Sequence, residues 1–211
     1  MSLLILTGYD DAMREIGDLT TPGKLAYAQR HGYDFKCVRN YNKETHPSWQ
    51  KLYVIWENLN GANYVLWLDA DSVITNPSMA VGDWMTRHNA VFSPMVVSAD
   101  WSYGSPWCAG NMLLNNTANV EPLLRHTMAM GHARFANAPL WDQSALQEHV
   151  PAEHIQILPR RILNAVPRLC RDAAPEPWEP GDFLAHCTCD DHGRRLQAVK
   201  NALEAAKEYH S

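Results

Sequence analysis

The chain reads as a single α/β domain in which a mostly parallel central sheet is flanked by helices. Three observations predict this class. Apolar runs fit for strands buried on both faces stand at residues 3–6 and 64–68. Segments with apolar residues at helical spacing lie between and after them, and alternation of strand and helix is the pattern of a helix-covered parallel sheet. The chain has 211 residues, 46% hydrophobic and 19% charged, which is ordinary globular composition and enough for one substantial core.

Leu3–Thr7 is the first strand. The apolar start is too short for a leader, lacks basic residues, and meets Asp10 and Asp11 at once, so it reads as a buried strand and not as a signal peptide. Thr21 before Pro22 suits an N-cap followed by proline at the first helical position, and that helix runs to about His31, where Gly32 stops it. Tyr33–Val38 alternates apolar and polar residues as a second strand. Pro47 opens a helix with Trp49, Leu52, Ile55, Trp56 and Leu59 on its apolar face, closed by Asn60 and Gly61. Tyr64–Leu68 is the third strand, and Asp69 stands at its carboxyl end, where ligands of open α/β sheets bind. Further on, Ala90–Pro94 and Met112–Leu114 read as short strands and Thr117–Met130 and Trp141–His149 as helices. Residues 166–181 read as a long Pro-rich loop, and Arg194–Tyr209 as a helix.

The net charge of −5 leaves no global basic footprint for a polyanion, only a local patch at Arg160, Arg161, Arg168 and Arg171. No apolar run approaches the ~20 residues that span a bilayer. Five cysteines, an odd and scattered set, are not a disulfide framework, and they point to a reducing, cytoplasmic location. Cys187, Cys189 and His192 carry zinc-type ligands, but Cys-x-Cys lacks the usual Cys-x-x-Cys bite, so buried thiols are the favoured reading.

The chemistry concentrates in Leu66-Trp67-Leu68-Asp69-Ala70-Asp71-Ser72-Val73-Ile74. Two carboxylates one residue apart, where a buried strand surfaces, are suited to a hard divalent cation shared with a diphosphate. Five further segments accompany it in order: Lys24-Leu25-Ala26-Tyr27 with His31-Gly32-Tyr33, Trp49-Gln50-Lys51-Leu52, Asn111-Met112-Leu113-Leu114-Asn115-Asn116, Asp142-Gln143-Ser144-Ala145-Leu146, and Gly181-Asp182-Phe183-Leu184-Ala185-His186. Together they resemble the retaining, metal-dependent α-glycosyltransferases of the fungal galactosyl/mannosyltransferase and plant xyloglucan xylosyltransferase family. The resemblance spans roughly residues 2–187. One departure is Cys187-Thr188-Cys189 after the histidine, where the family carries a small residue and a glycine.

The resemblance implies a GT-A (Rossmann-like) domain over 1–211. Its nucleotide-binding part is expected at about 1–75, its acceptor and metal-histidine part at about 76–190, and a C-terminal helix at about 191–209. It implies donor contacts from Thr7, Lys24, Tyr27, Lys51, Asp69, Ala70 and Asp71, and Mn²⁺ or Mg²⁺ held by Asp69, Asp71 and His186. It places Asp142 and Gln143 at the reacting sugar. The implied reaction moves a hexose or pentose from a UDP-sugar to an acceptor hydroxyl with retention. Glycan, lipid-linked sugar, protein and modified nucleobase acceptors all remain open. Gln143 is too weak a nucleophile for double displacement, which favours same-face attack. Trp101, Tyr103 and Trp107 are candidates for a sugar-stacking lip, against ordinary loop packing. Two other functions fit part of the pattern. A haloacid-dehalogenase-like phosphatase would use Asp69 as nucleophile, but its motif belongs on a first strand. A non-catalytic nucleotide-sugar binder would keep the diphosphate grip without turnover.

Overall fold

The computed structural model describes residues 2–39, 45–100 and 104–209. Its centre is a six-stranded sheet in the order β2 (Asp34–Arg39), β1 (Leu3–Tyr9), β3 (Tyr64–Leu68), β6 (Trp107–Asn115), β5 (Met95–Ala99), β7 (Ile155–Leu158). The β1–β2, β1–β3 and β5–β7 pairs are parallel, and β6 alone runs against its neighbours. A separate antiparallel pair joins β4 (Ser72–Ile74) to β8 (Leu184–His186).

Two-sided burial explains the continuous apolar runs. Leu4, Leu6, Val65 and Trp67 pack on one face with Trp49, Leu52 and Ile55 of α2 (Pro47–Asn58) and with α4 (Val120–Phe135) and α5 (Trp141–His149). Leu3, Ile5, Leu66 and Leu68 pack on the other face with Tyr27 of α1 (Arg14–His31) and Trp84 of α3 (Val81–Arg87). Each such side chain contributes roughly 1.5–3 kcal/mol by leaving water. A third cluster seats α7 (His192–Ala206) against Ile16, Val73, Ala185 and Cys187.

Several boundaries differ from the sequence reading. Helix α1 begins seven residues before Thr21, at Arg14. The Asp10 carboxylate accepts from the Met13 N–H at 3.1 Å and secures the start of the helix upstream. Thr21 does not cap; its hydroxyl donates back to the Gly17 carbonyl at 2.6 Å, and Pro22 lies inside the helix. Residues 90–94 form no strand, because Asn89 turns at φ 53° after α3 and β5 starts only at Met95. Strand β6 starts five residues before Met112, since Cys108, Ala109, Gly110 and Asn111 lack the bulky signature of a strand. Helix α4 starts at Val120, three residues late, and β4, β7, β8, α3 and α6 (Arg160–Leu163) were too short for periodicity to register. Helix α7 is capped by Asp191, whose carboxylate accepts from the Arg194 N–H at 2.7 Å, and it gives way to a 3-10 turn at Lys207–Tyr209.

Cys170 and Cys189 are joined as a disulfide, leaving Cys37, Cys108 and Cys187 free. The expectation of reduced thiols fails at this pair, and with it goes the support that the cysteines lent to a cytoplasmic location. Among the described residues, no helix is long and apolar enough to cross a membrane.

Pro22 removes one hydrogen bond from the interior of α1 and is exposed. Pro22→Ala restores the donor toward the Asp18 carbonyl, so stability should rise by about 1–3 kcal/mol. A raised urea midpoint with unchanged slope is the expected reading.

Candidate active site

The carboxylate pair sits where β3 ends. The Asp69 N–H donates to the Gly110 carbonyl of β6 at 2.9 Å, and the Ser72 N–H donates to the Asp69 carbonyl at 3.0 Å, which turns the chain into β4. The turn is gripped from beneath. The Lys24 ammonium, fully buried, donates to the carbonyls of Asp69 at 2.7 Å and Ala70 at 3.4 Å and to the hydroxyls of Thr7 at 3.2 Å and Thr20 at 3.3 Å. Burial pulls its pKa down to about 8, with Asp71 and Asp69 opposing the drop. Thr20 donates to the Ala70 carbonyl at 2.6 Å, and Ser72 donates to Asn111 Oδ1 at 2.7 Å. With its main chain held from within, the turn presents its carboxylates to the cleft.

His186 arrives through the second sheet, where β8 places it directly opposite Ser72. Its Nδ1 lies 2.8 Å from Asn164 Oδ1. Asn164 Oδ1 can only accept, so Nδ1 carries a proton and Nε2 is the ring nitrogen turned toward the acid pair. That Nε2 lies 3.6 Å from Asp71 Oδ1. One ligand atom each from Asp69, Asp71 and His186 lie within 4.8 Å of one another. Two carboxylate oxygens and an imidazole nitrogen make a donor set for a divalent cation. Gly110 makes the room: a Cβ there would come within 2.4 Å of His186 Cε1, 2.7 Å of Nε2 and 3.0 Å of Asp69 Oδ2.

The charges are balanced. Burial raises the Asp71 carboxyl, but His186, Arg195 and Lys24 outweigh it and hold its pKa at about 2. Burial opposes the His186 imidazolium, but Asp71 and Cys108 raise its pKa well above the ordinary value. Arg195 Nε stands 3.5 Å from Asp71 Oδ2 and donates to the Cys189 carbonyl at 3.0 Å. The Trp67 indole donates to Asp69 Oδ1 at 2.7 Å.

A cleft of about 310 Å³ opens over these groups and is lined also by Lys51, Asp142, Gln143 and Arg195. Lys51 Nζ lies 3.0 Å from Asp142 Oδ2 and 3.7 Å from Asp69 Oδ1, and it donates to the Ala109 carbonyl at 3.0 Å. Burial opposes the ammonium, but Asp142 and Asp69 raise its pKa; burial likewise lifts Asp142, against Lys51 and Ser48. Gln143 spends its amide on the fold. Oε1 accepts from the Ala109 N–H at 2.7 Å, and Nε2 donates to Ser105 at 2.8 Å and Asp100 at 3.0 Å.

Of the sequence candidates, Lys51, Asp69, Ala70, Asp71, Asp142, Gln143 and His186 line the cleft. Thr7, Lys24 and Tyr27 stand behind its wall. Thr7 donates to the Leu68 carbonyl at 2.7 Å and Tyr27 to the Met79 carbonyl at 2.9 Å, so all three support the turn and its sheet from the protein side. Sequence reasoning missed Trp67, Gly110, Asn164 and Arg195 as site residues. The one local signal was Gly110 inside an otherwise apolar strand, a mark of close approach. Contacts bear on other readings too. Cys189 is bonded to Cys170, and His192 Nε2 lies 3.8 Å from Glu15, so no zinc set forms with Cys187. Trp107 is buried in β6 and forms no lip, while Trp101 and Tyr103 lie outside the described residues. In the basic patch, Arg160, Arg161 and Arg171 pair with Glu176, Asp182 and Asp190. Asp190 is thus held by Arg171, and Asp191 caps α7.

Lys51→Met would strand the buried Asp142 carboxylate, so it should destabilise by about 3–5 kcal/mol. Adding Asp142→Leu should recover a large part of that loss, and a double-mutant cycle in urea measures the coupling. Strict additivity would overturn the pairing.

Residues 4–106 match the model of the galactosyl transferase GMA12/MNN10 family. No curated protein matches by sequence. A glycosyltransferase involved in glycosylating the major capsid of PBCV-1 aligns with TM-score 0.78 at 17% identity, covering 95% of this chain and 100% of that one. The glycosyltransferase GlyE of Streptococcus pneumoniae aligns with TM-score 0.69 at 14% identity, covering 100% of this chain and 63% of that one. The galactosyltransferase LgtC, a structure with donor and acceptor sugar analogs, aligns with TM-score 0.61 at 11% identity, covering 99% and 96%. The family match over residues 4–106, just under half of the chain, and the GT-A fold together support a glycosyltransferase.

Proposed function

We propose that the chain transfers a hexose or pentose from a UDP-sugar to an acceptor hydroxyl with retention, using a divalent cation held by Asp69, Asp71 and His186. The observation that carries this reading is the convergence of those three ligand atoms within 4.8 Å at the carboxyl end of β3, on the floor of the cleft. The resident cation would neutralise charge on the departing diphosphate. Arg195, beside Asp71, adds positive charge on the same wall. Lys51 and Asp142 form a buried, oriented pair that can position sugar hydroxyls. Gln143 holds β6 next to Gly110 and borders the cleft. Because Asp142 is tied to Lys51 and the Gln143 amide is spent on the fold, both suit positioning better than nucleophilic attack. That supports same-face attack, with the leaving diphosphate taking the acceptor proton.

Release of UDP from a panel of UDP-sugars should require Mn²⁺ or Mg²⁺ and should disappear in Asp71→Ala, whose fold should remain intact. Unchanged calorimetric affinity for UDP in that variant would sink the metal assignment. Gly110→Ala should lower Mn²⁺ affinity by roughly 10–100-fold, since the added methyl displaces His186. Gln143→Ala should slow transfer while donor binding persists. Proton coupling constants of the product decide stereochemistry, and a β-linked product from an α-linked donor would overturn retention.

A further inference from the structure

The rim of the cleft carries an aromatic pair to which the reading above gives no role. Trp141 and His46 stack with ring centroids 4.1 Å apart and planes 11° from parallel. They come from the leading ends of two different helices: His46 caps α2, which carries Lys51, and Trp141 opens α5, which carries Asp142. Both line the cleft.

Trp141 holds an unusual position. Its φ is 38°, in the left-handed region, where a bulky side chain is strained. Yet Trp141 is 37% exposed, whereas Asp142 beside it is 3% exposed. A packing residue would use such a backbone to bury its ring; here the backbone leaves the ring at the mouth of the cleft. His46 covers one face of the indole and is itself fixed, its Nδ1 lying 2.7 Å from Ser48 Oγ. A ring supported on one side and accessible at a cleft mouth is a ready stacking surface.

We propose that Trp141, backed by His46, is the platform on which the pyranose ring of a carbohydrate acceptor stacks. This rests on the transferase reading of the cleft. The floor at Asp69, Asp71 and His186 and the buried Lys51–Asp142 pair serve the donor, which leaves the rim to the second substrate, arriving from solvent. The axial C–H groups of a pyranose give an apolar face that matches an indole, while its hydroxyls stay free for the polar floor.

The test uses saturation-transfer NMR with the methyl α- and β-pyranosides of galactose, glucose, mannose and xylose, in the presence of UDP and Mg²⁺. Wild type, Trp141→Gly and Trp141→Tyr are compared. At least one glycoside should bind wild type, with the strongest transfer at ring C–H protons. Trp141→Gly should weaken it by roughly tenfold or more, as loss of an aromatic anchor does. Trp141→Tyr should stay within about threefold, since it keeps an aromatic face. Glycine accepts the φ that strains tryptophan, so the melting midpoint of Trp141→Gly should hold or rise, which a purely structural tryptophan would not allow. UDP affinity by calorimetry should be unchanged in both variants. The proposal is overturned if no glycoside binds wild type, if Trp141→Gly binds glycosides as wild type does, or if that variant loses UDP affinity instead, which would assign the stack to the donor base. Failure of wild type to bind UDP with Mg²⁺ while glycosides still stack would instead overturn the donor reading, leaving the platform standing.

Discussion

The Lys24 ammonium, buried beneath residues 69–71, is the contact on which the site depends. It reaches across from α1 to two consecutive carbonyls of the turn and to two threonine hydroxyls, one on β1 and one on its own helix. A buried ammonium is costly unless every proton finds an acceptor, and here the acceptors are main-chain oxygens of the turn it must support and the two threonine hydroxyls beside it. Using the carbonyls as acceptors leaves the Asp69 and Asp71 carboxylates outside the lysine's hydrogen bonds, available to the cleft. Helix, first strand and the turn at residues 69–71 are thereby tied together.

A second constraint is the antiparallel strand β6. It crosses between β3 and β5 and brings Gly110 against the turn, where the absence of a side chain lets the His186 ring and the Asp69 carboxylate approach. The same strand supplies Asn111, whose amide braces Ser72 on one side and the Leu163 carbonyl on the other, and Ala109, whose N–H and carbonyl engage Gln143 and Lys51. One strand therefore sets the spacing of the floor, the cation–carboxylate pair and the glutamine.

The C-terminal third closes the arrangement. Pairing of β8 with β4 delivers His186 beside Asp71, and the next residue donates its N–H to the Asp71 carbonyl at 2.9 Å. The chain then passes through Cys189, whose carbonyl holds Arg195 against Asp71, and whose sulfur is tied to Cys170. Here a disulfide-anchored loop and an arginine from α7 stand beside the acid pair.

The sequence by itself determined the α/β class, the bounds of β3 and α5 and the start of α2, and the acid pair at the end of a buried strand. These follow from patterns local in the chain: two-sided apolar runs, helical spacing, and carboxylates where such a run stops. It also marked His186 and the Asp142-Gln143 pair, through motif order. Only the tertiary structure decided which marked residues face the cleft. Lys24 and Lys51 look alike as helix lysines, yet one lies under the turn and the other on the wall, because their helices cover opposite faces of the sheet. The upstream start of α1 was hidden because its N-cap, Met13, makes no side-chain capping bond that a sequence pattern would mark. Gly110, Asn164 and Arg195 lie far in sequence from the residues they serve. Their roles exist only once β6, β8 and α7 converge on one turn, and no pattern local to the chain encodes that convergence.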